Sequence, residues 1–443
     1  MTEKSLAVLM YGARVGTLFC DRNLRLRFVY DAALRDTADA VALSLSLPLV
    51  RREHGHDAIE AFLWGLLPDN ERVLERWARQ FHVSARNPFA FLAHVGEDCA
   101  GAVQIVPEER IAALLRPQGA PQVQWLTKSD VARRLAALRA DETAWRRADD
   151  AGQFSLAGAQ PKTALYFDGR RWGLPLGATP TTHILKPPAT GFNGQIEDEH
   201  FCLRLARALG LPTAESSVQR FGDEVAIVIE RYDRVRLTAS TPAAKAAQQQ
   251  PVMRLHQEDL CQALGMRPQA KYQNEGGPSP GQIAELLRAA SDRPAEDVQT
   301  FADVLVYNWL IAGTDAHAKN YSLLHGRGGR VRLAPLYDLA SALPFPELDA
   351  NKLKLAMKLG GHYRVREIGA RELSKTGDEL GLDPAAFLAR CRELCAALPA
   401  ATEAVHDECR QNGLDHPIIE RLAKVLKARA RQCASALRSS AWT

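Results

Sequence analysis

Apolar and polar positions alternate through "SLAVLMYGARVGTLFCDRNLRLRFVY", residues 5 to 30, which predicts three short strands with turns at Gly12 to Gly16 and at Asp21 to Asn23. The period then changes. "HDAIEAFLWGLLPDNERVLERWARQF" carries Ile59, Phe62, Leu63 and Leu66 at helical spacing, breaks at Pro68, and resumes with Val73, Leu74 and Trp77 on one face. "NPFAFLAHVG" continues the helical theme, and "CAGAVQIVP" returns to strand. "TALYF", "RWGLP" and "THILKP" are β-rich runs separated by Gly and Asp turns, as in an antiparallel sheet. "EDEHFCLRLARALGLP" reads as a helix with an acidic start, a basic end and Gly210 as its stop, followed by strands "SSVQRFG" and "EVAIVIERYDR". From "LHQEDLCQALG" onward helical periods dominate, through "GQIAELLRAA", "FADVLVYNWLIAG", "DPAAFLARCRELCAAL" and "ERLAKVLKARARQCASAL".

This order predicts an α+β protein in three parts: an N-terminal α+β subdomain over residues 1–110, a β-rich lobe with one helix over 111–250, and a mostly helical lobe over 251–443. "TASTPAAKAAQQQP", Thr238 to Pro251, is low in complexity and reads as a mobile loop or linker. At 443 residues the chain is too long for a single core, so more than one domain is expected. A net charge of +4 neither requires nor excludes a nucleic-acid partner. The eight cysteines form no C-x-x-C pair, which suggests neither a zinc site nor a disulfide framework, and Cys391 and Cys395 read as buried small apolar groups. Neither a signal peptide nor a membrane-length apolar run is apparent, so a cytoplasmic protein without a membrane partner is expected.

The chemistry concentrates where the apolar run "VLVYNWLIA" ends in "GTDAHAKNYSLL". Asp315 and Asn320 stand in the pattern D-x-x-x-x-N, the spacing with which phosphoryl-transfer sites place a base for the acceptor hydroxyl and an amide ligand for magnesium. A second acid is needed for the metal, and Asp338 supplies one after "VRLAPLY", a short apolar strand beyond the turn "HGRGGR". Taken alone the spacing is weak, because polar residues recur at such intervals by chance. Lys186 in "THILKPP" can serve as a phosphate-holding lysine or as a solvated strand-edge residue. Glu199 shares a helical face with Cys202 and Ala206, and either orients that lysine or simply complements the helix dipole. "SLAGAQPKTAL" lacks both common glycine-rich phosphate motifs, although Ala157, Gly158 and Ala159 are small enough to let backbone amides approach a phosphate.

Nine blocks in order, "FSLAGAQPKTAL", "HILKPP", "EHFCLRLARALGL", "IERYDR", "LHQEDLCQALG", "KYQNEGGP", "NWLIAGTDAHAKNYSLL", "LAPLYDLASA" and "LKLAMKL", resemble the HipA-type serine/threonine-protein kinases, toxins of bacterial toxin–antitoxin modules. The resemblance implies a bilobal protein-kinase-like fold with an added N-terminal subdomain, with ATP and Mg2+ at the site. It also implies a small dimeric DNA-binding antitoxin (HipB-like), operator DNA reached through that complex, and a protein substrate such as an aminoacyl-tRNA synthetase, often glutamate–tRNA ligase. Carried over by residue, Asp315 matches the catalytic aspartate, Asn320 and Asp338 the magnesium ligands, and Lys186 the phosphate-holding lysine, with Glu199 as its orienting partner. Ala157, Gly158, Ala159, Gln160 and Lys162 match the phosphate loop, and Glu230, Arg231 and Tyr232 the hinge that meets adenine. His317, Lys319 and Tyr337 match positions lining the nucleotide, and Ser155 a serine that such kinases phosphorylate on themselves. Pro161 stands where the family often has a charged residue, and the low-complexity stretch has no counterpart. A small-molecule or lipid kinase on the same scaffold shares every one of these residues, and a non-catalytic co-repressor docking on an antitoxin is a third reading.

Overall fold

The computed structural model describes residues 3–35, 37–115, 121–145, 154–189, 191–237 and 251–438. These fall into two compact units: Met1–Pro187, Gln219–Pro268 and Ser322–Val331 in the first, and Pro188–Val218, Gln269–Tyr321 and Arg332–Thr443 in the second.

The first unit opens with the three expected strands, Lys4–Met10, Ala13–Cys20 and Leu26–Tyr30. They form a five-stranded sheet with Glu53–His54 at one edge and Gln104–Val106 at the other. The first turn is tighter than the expected Gly12 to Gly16 span: Tyr11 and Gly12 alone carry the positive φ of a two-residue hairpin. Gly16 lies inside its strand opposite Tyr30, where a Cβ would come within 2.6 Å of the Phe28 ring. Helices His56–Gly65, Glu71–Phe81 and Pro88–Val95 bring Phe62, Trp77 and Phe91 into one core with Phe28 and Tyr30.

A second, six-stranded sheet runs in the order Ser216–Phe221, Glu224–Glu230, His183–Lys186, Thr163–Phe167, Trp172–Pro175, Val123–Leu126. The last strand and the helix that follows it, Lys128–Ala140, escaped the pattern reading. A capping box marks that helix, with Thr127 accepting from the Asp130 amide and Asp130 bonding back, and Val131 and Leu135 pack against Leu165, Leu185 and Val228. "LHQED" is a correction to the helical expectation: His256–Asp259 is a strand paired with Ser322–His325, and only Leu260–Ala263 turns into helix, capped by Asp259. The low-complexity stretch lies outside the described residues except for Pro251.

In the second unit the helix Gln195–Ala208 precedes Gly210, whose φ of 87° supplies the expected left-handed stop. The helix Pro294–Ile311 is buried along almost its whole C-terminal half. Its Tyr307 hydroxyl donates to the Cys202 carbonyl at 2.6 Å, and its Trp309 indole to the Val365 carbonyl at 3.1 Å. Helices Ala370–Glu379, Pro384–Gln411 and Pro417–Arg438 complete the unit. All eight cysteines are buried free thiols, Cys391 and Cys395 included, as expected of those two. Among the described residues no helix is long and apolar enough to cross a membrane.

Candidate functional site

The polar burst after "VLVYNWLIA" is a built helix stop. Ala312 adopts a left-handed φ of 52°, and the Gly313 amide turns back to the Asn308 carbonyl at 2.7 Å. Gly313 is required there, since a Cβ would lie 2.5 Å from Oδ1 of Asn308. The Ser341 hydroxyl donates to the Ile311 carbonyl at 2.6 Å, and the Ala342 amide to the Ala312 carbonyl at 3.2 Å. From this anchored end the chain enters the turn Ala318–Asn320. The Asp315 carbonyl accepts the His317 amide and Nδ2 of Asn320, both at 2.8 Å. His317, Lys319 and Asn320 are buried while Asp315 faces solvent. The turn thus fixes the backbone beneath Asp315 and offers its carboxylate outward, where it can take a proton.

Asp338 follows a segment held on both sides: the Leu336 amide donates to the Pro212 carbonyl and the Ala214 amide to the Leu336 carbonyl, each at 2.8 Å. Asp338 itself has a φ of 55°, a left-handed conformation that aspartate tolerates better than most residues yet still uncommon. Next to it, the Tyr337 hydroxyl donates to the Lys319 carbonyl at 2.8 Å, so the acid's segment is tied to the turn that carries Asn320. An amide oxygen and a carboxylate are the hard donors that magnesium takes. Glu199, Cys202 and Ala206 are all buried, as their shared face requires. Asp198, which pattern reading passed over, is buried too. Burial pushes its carboxyl well above the usual range, against the Ser341 amide that donates to Oδ2 at 3.0 Å.

The first unit carries the other residues singled out in the sequence. Ala157 to Lys162 closes on itself, Nζ of Lys162 donating to the Ala157 carbonyl at 2.7 Å and lying 5.2 Å from the Trp145 ring. Gly158 has a φ of 101°, which favours glycine, and a Cβ there would fall 2.5 Å from that ammonium and displace the end of the lysine side chain. Its carbonyl accepts the Asp69 amide at 3.0 Å, and Nδ2 of Asn70 approaches the Ala159 carbonyl at 3.4 Å. Oε1 of Gln160 is buried without a protein partner, a polar atom suited to a ligand's donor. Ser155 is fully buried, its hydroxyl donating to the Leu66 carbonyl at 2.6 Å and its amide to the Asp98 carbonyl at 3.0 Å.

Lys186 is buried at the end of its strand, opposite Ile227. Glu230 ends the partner strand and is exposed, and the Arg231 amide donates to the Thr182 carbonyl at 3.0 Å. Two carboxylates and three guanidinium groups then gather. Arg231 bonds Asp233 at 2.8 Å, while Arg234 and Arg254 each reach Oδ1 of Asp98 at 3.0 Å. Burial alone would raise the Asp98 carboxyl, but Arg234, Arg254 and Arg231 outweigh it and hold the group below the usual carboxylate range. This cluster pins the segment 230–234, while the Tyr232 hydroxyl is engaged by Oε1 of Gln257. The arginines and aspartates are scattered over more than 150 positions, and no local pattern announces them.

Two family descriptions match the chain: the HipA-like C-terminal domain over residues 154–402 and the HipA N-terminal domain over residues 6–106. Among curated proteins it is 35% identical to "Putative kinase Y4mE" of Sinorhizobium fredii, over 97% of this chain and 99% of that one. It is 29% identical to "Serine/threonine-protein kinase toxin HipA" of Shewanella oneidensis, over 77% of this chain and 76% of that one. Among solved structures, the Shewanella oneidensis toxin–antitoxin complex of HipA, HipB and its operator DNA aligns with a TM-score of 0.80 at 25% identity, covering 98% of each chain.

Proposed function

The chain belongs to the HipA family of kinases, and on that premise we propose that it passes the γ-phosphoryl group of ATP to serine or threonine hydroxyls of a protein needed for translation. An aminoacyl-tRNA synthetase, with glutamate–tRNA ligase the leading candidate, is the target we infer. The observation that carries the reading lies inside the second unit: a solvent-facing Asp315 on a turn braced by Asn320, with Asp338 tethered to that turn through Tyr337.

In this reading Asp315 accepts the proton of the acceptor hydroxyl, and its backbone, bonded to Asn320, does not have to reorganise as it does so. Asn320 and Asp338 hold magnesium, which when bound neutralises charge on the triphosphate. Lys162, Lys186 and the amides around Gly158 hold phosphates, and His317, Lys319 and Tyr337 line the nucleotide. The backbone of Glu230 to Tyr232 meets adenine, beside an Arg231 amide that donates to the Thr182 carbonyl. The protein acts in the cytoplasm beside a small dimeric DNA-binding antitoxin and, through it, on operator DNA. The support is the solved relative, a complex of HipA with HipB and operator DNA.

We also propose that the kinase modifies Ser155. A phosphate of about −1.5 to −2 charges beside Lys162 would oppose the triphosphate that this lysine holds. Because Ser155 is buried against Leu66, modification requires residues 154–162 to leave their seat, and the added charge then prevents their return. Radiolabelled ATP with a bacterial lysate tests the reading. Labelled protein bands are expected, whereas label confined to small molecules or lipids would replace it with another kinase class.

A further inference from the structure

The Tyr272 hydroxyl donates a hydrogen bond to Oδ1 of Asp315, forty-three positions away. An ionised carboxylate only accepts, so the phenol is the donor and Oδ1 is committed to it. The tyrosine is itself held from several directions within the second unit. Its ring stands edge-on to His317 with centroids 4.9 Å apart. The preceding carbonyl, that of Lys271, accepts the Ala318 amide at 3.1 Å, and the following side chain, Gln273, accepts the Lys358 amide through Oε1 at 2.6 Å. The loop then closes through Gly276, with a φ of 96°, and the Gly277 amide donates to the Tyr272 carbonyl at 2.9 Å. Gly277 permits that closure because a Cβ there would sit 2.7 Å from the same carbonyl oxygen.

We propose that Tyr272 is a positioning residue for phosphoryl transfer: it fixes the carboxylate of Asp315 through Oδ1 and leaves Oδ2 for the acceptor hydroxyl. The inference rests on Asp315 being the general base. Asp315 faces solvent, so without a donor its carboxylate turns about two side-chain torsions, and each turn costs alignment with the acceptor. A residue meant to swing away and admit substrate would not be tied by its own backbone, its neighbours on both sides and its ring. In the transfer step the acceptor hydroxyl gives its proton to Oδ2, its oxygen forms the new bond to the γ-phosphorus, and the bond from that phosphorus to the β-phosphate oxygen breaks as ADP leaves. Tyr272 keeps its own proton throughout.

Tyr272→Phe in the full chain tests this, because it keeps the ring against His317 and removes one oxygen. With radiolabelled ATP, magnesium and a bacterial lysate as acceptor, we expect the saturating rate to fall roughly 10- to 100-fold, the loss of one hydrogen bond to a charged group. The ATP concentration for half-maximal rate and the melting temperature should stay as in the unaltered protein. An unchanged or faster Tyr272→Phe enzyme overturns the proposal, and so does a loss accompanied by a weaker ATP dependence or a lower melting temperature. If Asp315→Asn is itself fully active, the general-base reading fails; if it is inactive while Tyr272→Phe is not impaired, only the positioning role fails.

Discussion

In the proposed site Asp338 meets two demands at once, a carboxylate for a hard cation and a left-handed backbone that alanine resists by about 1–2 kcal/mol. Asn shares the tolerance for that conformation but not the charge, so Asp338→Asn separates the two. Calorimetric titration with magnesium and ATP should show affinity reduced ~10-fold or more by Asp338→Asn, and reduced less by Asn320→Ala, which removes only an amide dipole. Equal or reversed losses would mean that the two ligand roles are misassigned. At this scale the sequence pointed to Asp315 and Asn320 through the D-x-x-x-x-N spacing, and to Asp338 as a second acid in a separate segment beyond a turn and a short strand. Tyr272 was invisible as a partner of Asp315 because the loop that delivers it is remote in the chain, and only the fold brings the two together.

The segment Phe154 to Lys162 behaves as an element though it is not regular structure, held through Ser155, Gly158 and Lys162. Incubation with magnesium and ATP should yield a phosphopeptide containing Ser155 in the unaltered protein and none in Asp315→Asn. The modified protein should also be cut by protease within this segment faster than the unmodified one, because a phosphate does not fit the seat under Leu66. Modification without added protease sensitivity would contradict the unseating. Gly158→Ala should weaken ATP binding while the protein still folds, since the added Cβ meets only the mobile end of Lys162. Regular elements were read best where one period persists, as in the hairpins before Tyr30 and the helix Pro294–Ile311. "LHQED" misled because a single leucine among four polar residues defines no period, and its pairing with Ser322–His325 decided the outcome. The helix Lys128–Ala140 had its signal in Thr127-x-x-Asp130, a cap that an apolar-period search passes over.

At the scale of the molecule, buried charge and buried histidine set the response to acid. Burial, with His325 alongside, pushes His256 down to about 3, and its Nε2 lies 2.9 Å from the Leu43 carbonyl. The unfolded chain binds a proton at this residue near its ordinary value of 6.5, whereas the folded chain does not until the pH is far lower. The stability it contributes is therefore complete above that value and falls by about 3 kcal/mol on the way to about pH 4. His256→Gln should flatten the decline in melting temperature between neutral pH and about pH 4, and an unchanged slope would show that the histidine titrates normally in the folded protein. The overall class, an α+β kinase of the HipA type, was legible from nine short blocks kept in order, which no single motif could have established. The Asp98, Asp233 and arginine cluster was not, because its members come from distant stretches and each reads alone as an ordinary surface charge. The proposed reaction is phosphate transfer with Asp315 as its base. The direct measurement is label transfer from radiolabelled ATP to a bacterial lysate by the unaltered protein and by Asp315→Asn, with circular dichroism showing both equally folded. Transfer by the first and none above background by the second is the expected result; undiminished transfer by a folded Asp315→Asn would contradict it.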